Sequence, residues 1–160
     1  MLPEPTRRLR FREMTEADLD EVTETLSATR ADAERWIAWT TDNYRQHGFG
    51  LWVIETHDGR FVGDCGLTIQ EVEGEDFVEL GWHVHPDHRR LGYAAEAAAS
   101  VLAAAGQART ADHLIAIIRP ENVASQGVAQ KIGLTLERSA FKLGGEALIF
   151  GTRLVPTGVS

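Results

Sequence analysis

The sequence predicts an α/β protein in which a mixed sheet of about six to seven strands packs against about four helices. Extended, partly apolar runs recur between turn-forming glycines, which is typical of strands joined by short turns. In other segments the apolar residues recur every three or four positions, which is typical of helices that bury one face. In chain order the predicted elements are β-α-α-β-β-β-α-β-α-β-β. Antiparallel hairpins combined with helices on a mixed sheet give an α/β sandwich.

The first part of the chain predicts one strand and two helices. Residues 8–12 alternate charged and apolar side chains, as an edge strand does. Thr15 and Asp18 have the spacing of a capping box for a helix that runs to about Leu26. A second helix is predicted from about Ala31 to Gln46 and ends where a glycine follows.

The second part of the chain predicts the remaining strands and helices. The predicted strands are residues 51–55, 61–69, 77–85, 114–118, 134–141 and 147–154. The predicted helices are the alanine-rich residues 92–109 and residues 123–132, the latter ended by Gly133. Turns at His57-Asp58-Gly59 and at Gly144-Gly145 predict hairpins between their flanking strands.

Composition limits the class of protein. A chain of 160 residues is predicted to form one domain, residues 1–160, with a core that needs no disulfide. The net charge of −8 argues against general binding to nucleic acid or an anionic membrane, and it suits a cationic partner such as an amine. Cys65 is the only cysteine, which fits a reducing, cytoplasmic location. No signal segment or membrane-length apolar run is apparent. His83-x-His85 alone is a weak metal signal, so we expect no metal.

The segment from Val84 to Ala94 joins a predicted strand to the alanine-rich helix. Within it, Arg89-x-x-Gly92-x-Ala94 places a basic side chain, a glycine and a small residue at the helix entrance. A helix start presents free N–H groups and a partial positive charge, and glycine lets a ligand approach the backbone. The segment therefore predicts a phosphate-binding loop, although similar loops without a ligand occur in many α/β proteins. It lacks the Gly-Lys-Ser/Thr of a nucleotide P-loop and the three glycines of a dinucleotide fingerprint.

Three blocks of the sequence resemble the GNAT N-acetyltransferase superfamily. Arg89-x-x-Gly92-x-Ala94, followed by Glu96, resembles the family's acyl-CoA pyrophosphate loop. Residues 119–134 resemble its N-x-x-S … K-x-G-F segment. Residues 8–19 resemble the RimJ/RimL-like branch, which acetylates protein N-termini and small amines. The resemblance implies a sheet in which two adjacent parallel strands, 77–85 and 114–118, splay apart where the cofactor enters.

The resemblance implies that acetyl-CoA is the co-substrate. Its pyrophosphate would bind backbone N–H groups of the loop, with added charge from Arg89, and its pantetheine arm would dock on the backbone of residues 82–84. Asn122 would hydrogen-bond the arm, and it is also a favoured helix N-cap; the two roles are compatible. The predicted cofactor-binding residues are Trp82, His83, Val84, Arg89, Arg90, Leu91, Gly92, Tyr93, Ala94, Asn122 and Ser125.

Transfer to an amine requires proton movement, for which Glu79 and Ser125 are the predicted catalytic residues. A lysine-type amine has a reference pKa of about 10.4 and is protonated at neutral pH, so a base is useful. Glu79 lies on the strand that enters the loop, where family members often place a carboxylate, and is the first candidate. His83 shares its strand face and is the second. Both have an alternative interpretation as ordinary strand side chains.

The leaving thiolate would also accept a proton. Many family members use a tyrosine on the helix after the asparagine, but the matching residues 128–131 contain none. Ser125 occupies the position where RimJ/RimL-like enzymes carry a serine near the sulfur, and its alternative role is helix capping.

The sequence thus predicts direct acetyl transfer, in a ternary complex, to a primary amine on a peptide N-terminus or a small molecule. The alternative is an acyl-CoA-binding module with little or no turnover, because the expected tyrosine is missing. Trp36 and Trp39 either wall the acceptor pocket or pack in the core, and core packing is favoured. Cys65 is expected to be inert. Dimers are common in the resembled branch, so a homodimer is a further expectation.

Overall fold

The computed structural model describes residues 1–142 and 144–154 and contains a seven-stranded mixed sheet. The strands are β1 (Leu9–Arg12), β2 (Leu51–Thr56), β3 (Phe61–Val72), β4 (Glu75–Val84), β5 (His113–Ile118), β6 (Thr135–Lys142) and β7 (Gly145–Arg153). The helices are α1 (Leu19–Leu26), α2 (Arg30–His47), α3 (Tyr93–Ala108) and α4 (Val123–Lys131). The strand order is β1-β2-β3-β4-β5-β7-β6, in which the β4–β5 pair is parallel and the other neighbouring pairs are antiparallel. The predicted α/β class, element order and edge position of β1 are confirmed.

The observed elements differ from the predicted ones mainly at their ends. Strand β3 continues three residues beyond the predicted end at Ile69, and β4 begins two residues earlier than predicted. The two strands stay paired as far as Val72 and Glu75 because Glu73 and Gly74 both adopt a left-handed conformation, which closes a tight hairpin. The sequence indicated a turn at Gly74 but not that pairing continues up to it.

The capping box at Thr15 is confirmed. The Thr15 hydroxyl accepts a hydrogen bond from the Ala17 N–H at 3.3 Å, and the Asp18 carboxylate accepts one from the Thr15 N–H at 2.9 Å. The first turn, Glu16–Asp18, is a 3-10 turn that leads into α1. Asp18 also receives two hydrogen bonds from Arg12, which fixes the end of β1 against the start of α1.

The helices cover both faces of the sheet. One face carries the larger apolar cluster, in which the small side chains of α3 and α4 pack on alternate residues of β4 and β5. The cluster includes Val78, Leu80, Ala97, Ala98, Val101, Ala105, Leu114, Ala116 and Ala129. The opposite face is covered by α1 and α2, with Val22, Ala33 and Ile37 packed on the sheet. Alternate residues of β4 therefore point either to α3 and α4 or to α1 and α2.

Strands β4 and β5 separate soon after they meet. They are paired only at Val78 with Leu114 and at Glu79 with Ile115. Beyond these pairs, β4 continues to Val84 on β3, and β5 continues to Ile118 on β7. The gap between their carboxyl ends is the predicted splay, which is thereby confirmed.

The length and apolar character of the helices show whether any of them could cross a membrane. None in residues 1–142 and 144–154 combines the length and the apolar character that crossing a bilayer requires.

Candidate active site

The loop after β4 ends at the uncapped start of α3. Gly92 is the N-cap residue, with a φ of 80°, and among the described residues no side chain caps the backbone N–H groups at the start of this helix. By contrast, α2 is capped by Thr29 and α4 by Asn122. The free N–H groups and the dipole of α3 are therefore available to an anion. Arg90 is also left-handed, with a φ of 64°, and such turns gather backbone N–H groups into a concave surface.

Arg8 holds this loop in place from the other end of the chain. Its Nη1 donates to the Leu91 carbonyl at 2.8 Å, and its Nε donates to Glu96 Oε1 at 2.8 Å. Its guanidinium also lies 4.4 Å from the centre of the Tyr93 ring. The carboxylate of Glu96 additionally accepts hydrogen bonds from Thr6 and from the Arg8 N–H. β1 is thus tied directly to the start of α3.

A cleft of about 700 Å³ occupies the gap between β4, the loop and α4. Its lining includes Thr25, Trp82, His83, Val84, His88, Arg89, Arg90, Gly92, Tyr93, Ala94, Ala95, Asn122, Ser125, Val128 and Lys131. A volume of this size is in the range of small-molecule and cofactor sites. The cleft combines an apolar wall with basic side chains and an uncapped helix start, which suits a ligand with an anionic head and a largely neutral arm.

The start of α4 forms one wall of the cleft. The Asn122 side-chain oxygen accepts a hydrogen bond from the Ser125 N–H at 3.1 Å, so Asn122 is the N-cap of this helix. The Trp82 indole donates to Ser125 Oγ at 3.2 Å, which connects α4 to the separated end of β4. The hydroxyl of Ser125 is consequently held beside the gap between the two parallel strands.

The opposite face of β4 carries Glu79 and His83. Glu79 Oε2 accepts a hydrogen bond from the Thr68 hydroxyl at 3.3 Å. Burial raises the pKa of Glu79 to about 7, against the opposing influence of His83 and Thr68, so the carboxyl can hold or release a proton near neutral pH. His83 Nδ1 lies 2.8 Å from Asp64 Oδ1, and the Trp36 ring packs edge-on against the imidazole with centroids 5.3 Å apart.

The structure brings most of the predicted cofactor residues together. Of the eleven, ten line the cleft; the exception is Leu91, whose side chain is 52% exposed and whose carbonyl is bound by Arg8. Arg89 donates from Nε to the Val84 carbonyl at 3.1 Å, so its side chain folds back along the end of β4. Glu79 does not line the cleft, whereas His83 does.

Sequence reasoning missed several residues at this site, among them Lys131, His88 and Arg8. Lys131 lies on the same face of α4 as Ser125 and Val128. The spacing of three residues between them could have indicated that Lys131 also faces the site. His88 also lines the cleft. The contact of Arg8 with the loop spans 83 positions to Leu91, and no local pattern could have indicated it.

Other sequence expectations can be compared with the structure. Cys65 is fully buried, and burial raises the pKa of its thiol, which supports an inert role. Trp36 packs against the apolar cluster that contains Ile37, as the core interpretation expects, and its ring also contacts His83. A second cavity of about 890 Å³ lies between residues 13–19 and α2, and contains none of the predicted site residues. In the described part of the chain, no three His, Cys, Asp or Glu side chains come together as metal ligands.

Comparison with known proteins decides the family. The family model described as an acetyltransferase (GNAT) domain matches residues 8–135, most of the chain. The chain belongs to the GNAT acetyltransferase family. This GNAT protein is 32% identical over 114 residues to the uncharacterized protein YkkB of Bacillus subtilis, covering 71% of this chain and 66% of YkkB. It is 38% identical over 64 residues to the uncharacterized N-acetyltransferase YnaD of the same organism, covering 40% of this chain and 38% of YnaD. The chain therefore spans less than two thirds of these curated relatives.

Solved structures share the GNAT fold over nearly the whole chain. An acetyltransferase from Agrobacterium tumefaciens superposes with a TM-score of 0.83 at 25% identity, covering 95% of this chain and 94% of that one. The structure of yncA from Salmonella typhimurium, which contains acetyl-CoA, gives a TM-score of 0.73 at 19% identity over 96% and 98% of the two chains. RimL, a ribosomal-protein α-N-acetyltransferase in complex with coenzyme A, gives 0.79 at 11% identity over 99% and 100%. At such identities the last two likenesses concern the fold alone.

The cleft of this GNAT protein fits an acyl-CoA. The uncapped first turn of α3, with Arg89 and Arg90 beside it, suits a pyrophosphate. The unpaired edge of β4 at residues 82–84 offers backbone groups to an amide-bearing arm. Ser125 and His83 also line this cleft.

Proposed function

We propose that this GNAT acetyltransferase moves the acetyl group of acetyl-CoA to a primary amine by direct attack in a ternary complex. The observation that carries the proposal is the separation of β4 from β5 next to an uncapped helix start. The two faces of β4 meet at this gap. The cofactor cleft lies on the α3 and α4 side, and Glu79 and His83 project toward the α1 and α2 side. An acyl donor and an amine can therefore approach one another from opposite faces.

When bound, acetyl-CoA supplies a thioester from which the acetyl group passes to nitrogen while the thiolate departs. The backbone N–H groups at the separated end of β4 would polarise the thioester carbonyl. Glu79 would take a proton from the amine, for which a pKa of about 7 is well matched. Ser125, which accepts a hydrogen bond from Trp82, would pass its hydroxyl proton to the departing sulfur and be reprotonated through water in the cleft.

The acceptor is proposed to be cationic before reaction. The net charge of −8 and the carboxylates of Glu79 and Asp64 on the acceptor side favour an ammonium group. RimJ/RimL-like activity on a peptide N-terminus is the specific form of the proposal. It is supported by the residues 8–19 that resemble that branch and by the shared fold of RimL. A small-molecule amine is the other acceptor class.

The direct test combines binding and turnover. Isothermal titration with acetyl-CoA should show one site per chain. Thiol release should then depend on an added amine in a panel of N-terminal peptides, lysine peptides, polyamines and aminoglycosides. Binding without amine-dependent release across the panel would contradict the proposal and identify an acyl-CoA-binding module.

Assembly and location are separate proposals. A homodimer is proposed from the resemblance to the RimJ/RimL-like branch, and sedimentation equilibrium measures it directly. A cytoplasmic location is proposed from the single cysteine, buried Cys65, which a reducing compartment keeps as a thiol. Fractionation of the producing cells tests it.

A further inference from the structure

His83 is held differently from Glu79, which lies on the same face of β4. β3 and β4 pair Asp64 with His83 and Thr68 with Glu79. Asp64 is 1% exposed, so its carboxylate is a buried and fixed partner for the imidazole. Trp36 of α2 packs edge-on against the ring and restricts its rotation. The ring of His83 is therefore oriented by two neighbouring elements.

Asp64, the partner of His83, determines which imidazole nitrogen carries the proton. A carboxylate can only accept, so Asp64 Oδ1, at 2.8 Å, requires the proton of the imidazole to reside on Nδ1. The neutral ring then carries its lone pair on Nε2, which is the nitrogen able to take a proton. The His83 side chain is 38% exposed and lines the cleft, so a proton taken there can pass to water.

The surroundings of Glu79 differ from those of His83. Glu79 does not line the cleft, and its carboxylate is bound by the Thr68 hydroxyl. Gly81 lies between Glu79 and His83 on the same face, and a Cβ added there would be 3.9 Å from Glu79 Oε1 and 3.8 Å from Leu51 Cδ2. The Glu79 carboxylate thus lies beside Thr68 and Gly81, outside the cleft that His83 lines.

The reaction requires two proton transfers from nitrogen. An alkylammonium group carries three protons, and the amide product keeps one of them. The new C–N bond forms from the lone pair freed by the first deprotonation, and the C–S bond breaks with its electron pair on sulfur. One of the two lost protons neutralises the thiolate, and the other must leave the site. The two protons leave nitrogen at different stages, before and after the C–N bond forms, so two residues can each take one of them.

We propose that His83, positioned by Asp64, takes the first proton from the acceptor ammonium and releases it to solvent, while Glu79 takes the second, which passes through water and Ser125 to the departing thiolate. The inference rests on the proposed N-acetyltransferase function and assigns its two proton transfers to different residues. His83 is then a catalytic residue, and Asp64 is a positioning residue that acts through it.

The charged groups around His83 determine how the reaction responds to pH. Asp64 faces it from β3 and Glu79 from β4, while α2 contributes the uncharged Trp36. Among the residues of α1, Thr25 lines the cleft without charge, and the carboxylate of Glu24 lies 2.7 Å from His85 Nε2. Burial lowers the pKa of His83, but the charge and hydrogen bond of Asp64 and the charge of Glu79 outweigh it, so the pKa lies above its ordinary value. The neutral, proton-accepting form therefore increases as pH rises through that pKa.

The test compares two amines on the same carbon skeleton: an alkylamine, which is an ammonium at neutral pH, and the corresponding alkoxyamine, which is already neutral. His83→Gln should lower kcat/KM for the alkylamine on the order of 10²-fold, as loss of a proton-transfer group does, and leave the alkoxyamine nearly unchanged. Asp64→Asn keeps the hydrogen-bond acceptor but removes the charge. It should move the acidic limb of the alkylamine profile to lower pH relative to the alkoxyamine profile.

His113→Gln is the matched control, because His113 Nε2 also lies 2.8 Å from a carboxylate, that of Glu137. His113 is the first residue of β5, at the opposite end of that strand from the cleft. This variant should leave both amines unaffected. Equal losses for both amines in His83→Gln, with acetyl-CoA affinity retained, would overturn the inference. An unshifted limb in a folded Asp64→Asn protein would also overturn it; if that variant fails to fold, the amine comparison decides alone. Absence of transfer by the wild-type protein to any amine would instead refute the proposed function on which the inference rests.

Discussion

Gly92 is the residue on which the geometry of the phosphate-binding loop depends most directly. Its φ of 80° is a conformation that β-branched residues rarely adopt, and an added Cβ would lie 3.4 Å from Arg8 Nη2. Gly92→Val should therefore displace both the loop and the arginine that holds it. We expect acetyl-CoA affinity to fall at least tenfold, or about 1.4 kcal/mol, as measured by isothermal titration.

Gly74→Val is the control for backbone strain alone. Gly74 has a φ of 85°, no other atom within 4 Å of an added Cβ, and a position in the β3–β4 hairpin turn. It should lower the melting temperature without changing acetyl-CoA affinity. Unchanged affinity in Gly92→Val would show that the pyrophosphate binds elsewhere.

Glu79 should leave a pH-dependent signature in activity. The carboxylate form accepts the proton, so the rate should be lost as pH falls through about 7 and retained above it. Glu79→Gln should lower kcat and abolish this limb for a weakly basic amine while acetyl-CoA still binds. A limb near pH 7 that persists in the variant would assign it to another group.

Glu79 should also make the stability of the protein depend on pH, but in the opposite direction from its activity. Burial raises the pKa of Glu79 from 4.5 to about 7, so the folded state binds more protons than the unfolded state between these values. The free energy of unfolding should fall as pH rises through that window, by at most about 3 kcal/mol. Glu79→Gln should flatten this dependence, as measured by urea denaturation at a series of pH values. An unaltered pH dependence in the variant would contradict the raised pKa.

At the scale of secondary-structure elements, Asn122 at the start of α4 has two predicted roles, helix capping and cofactor binding, which two substitutions can distinguish. Its side chain caps the helix by accepting from the Ser125 N–H. Asn122→Ala should lower the free energy of unfolding by about 1 kcal/mol, whereas Asn122→Ser, which retains a capping oxygen, should cost less. Thermal or urea unfolding measures this difference.

The serine variant also tests cofactor contact. If the Asn122 amide binds the pantetheine arm, Asn122→Ser should weaken acetyl-CoA binding while stability is largely kept. Equal affinity in the serine variant and the wild-type protein would leave capping as the only role of Asn122.

Elements whose signals are local were predicted well. The Thr15 capping box, the alanine-rich α3 and the strand–loop–helix unit at Gly92 all depend on residues within a few positions of each other. Strand ends were predicted less well because pairing between strands decides them. The extension of β3 to Val72 depends on its partner β4 and on the left-handed turn between them.

At the scale of the whole molecule, one core connects the two ends of the chain. The larger apolar cluster runs from Leu9 in β1 to Phe150 in β7 and includes residues of β2, β3, β4, β5, α3 and α4. The single domain predicted for residues 1–160 stays a prediction, which the unfolding transition tests. We expect one cooperative unfolding transition, coincident by far-UV circular dichroism and by the fluorescence of the four tryptophans. Two separated transitions would indicate that the parts of the sheet on either side of the β4–β5 gap fold independently.

The sequence by itself determined the class of fold, the order of its elements and the loop at Gly92, because each follows from side-chain spacing or from the backbone freedom of a single glycine. Only the tertiary structure decided that β4 leaves β5 after two residue pairs and that Asp64 meets His83 across 19 positions. The same is true of Arg8, which reaches across 83 positions to hold Leu91. These contacts bring distant parts of the chain together through sheet register and helix packing, and such contacts leave no periodic pattern in the sequence.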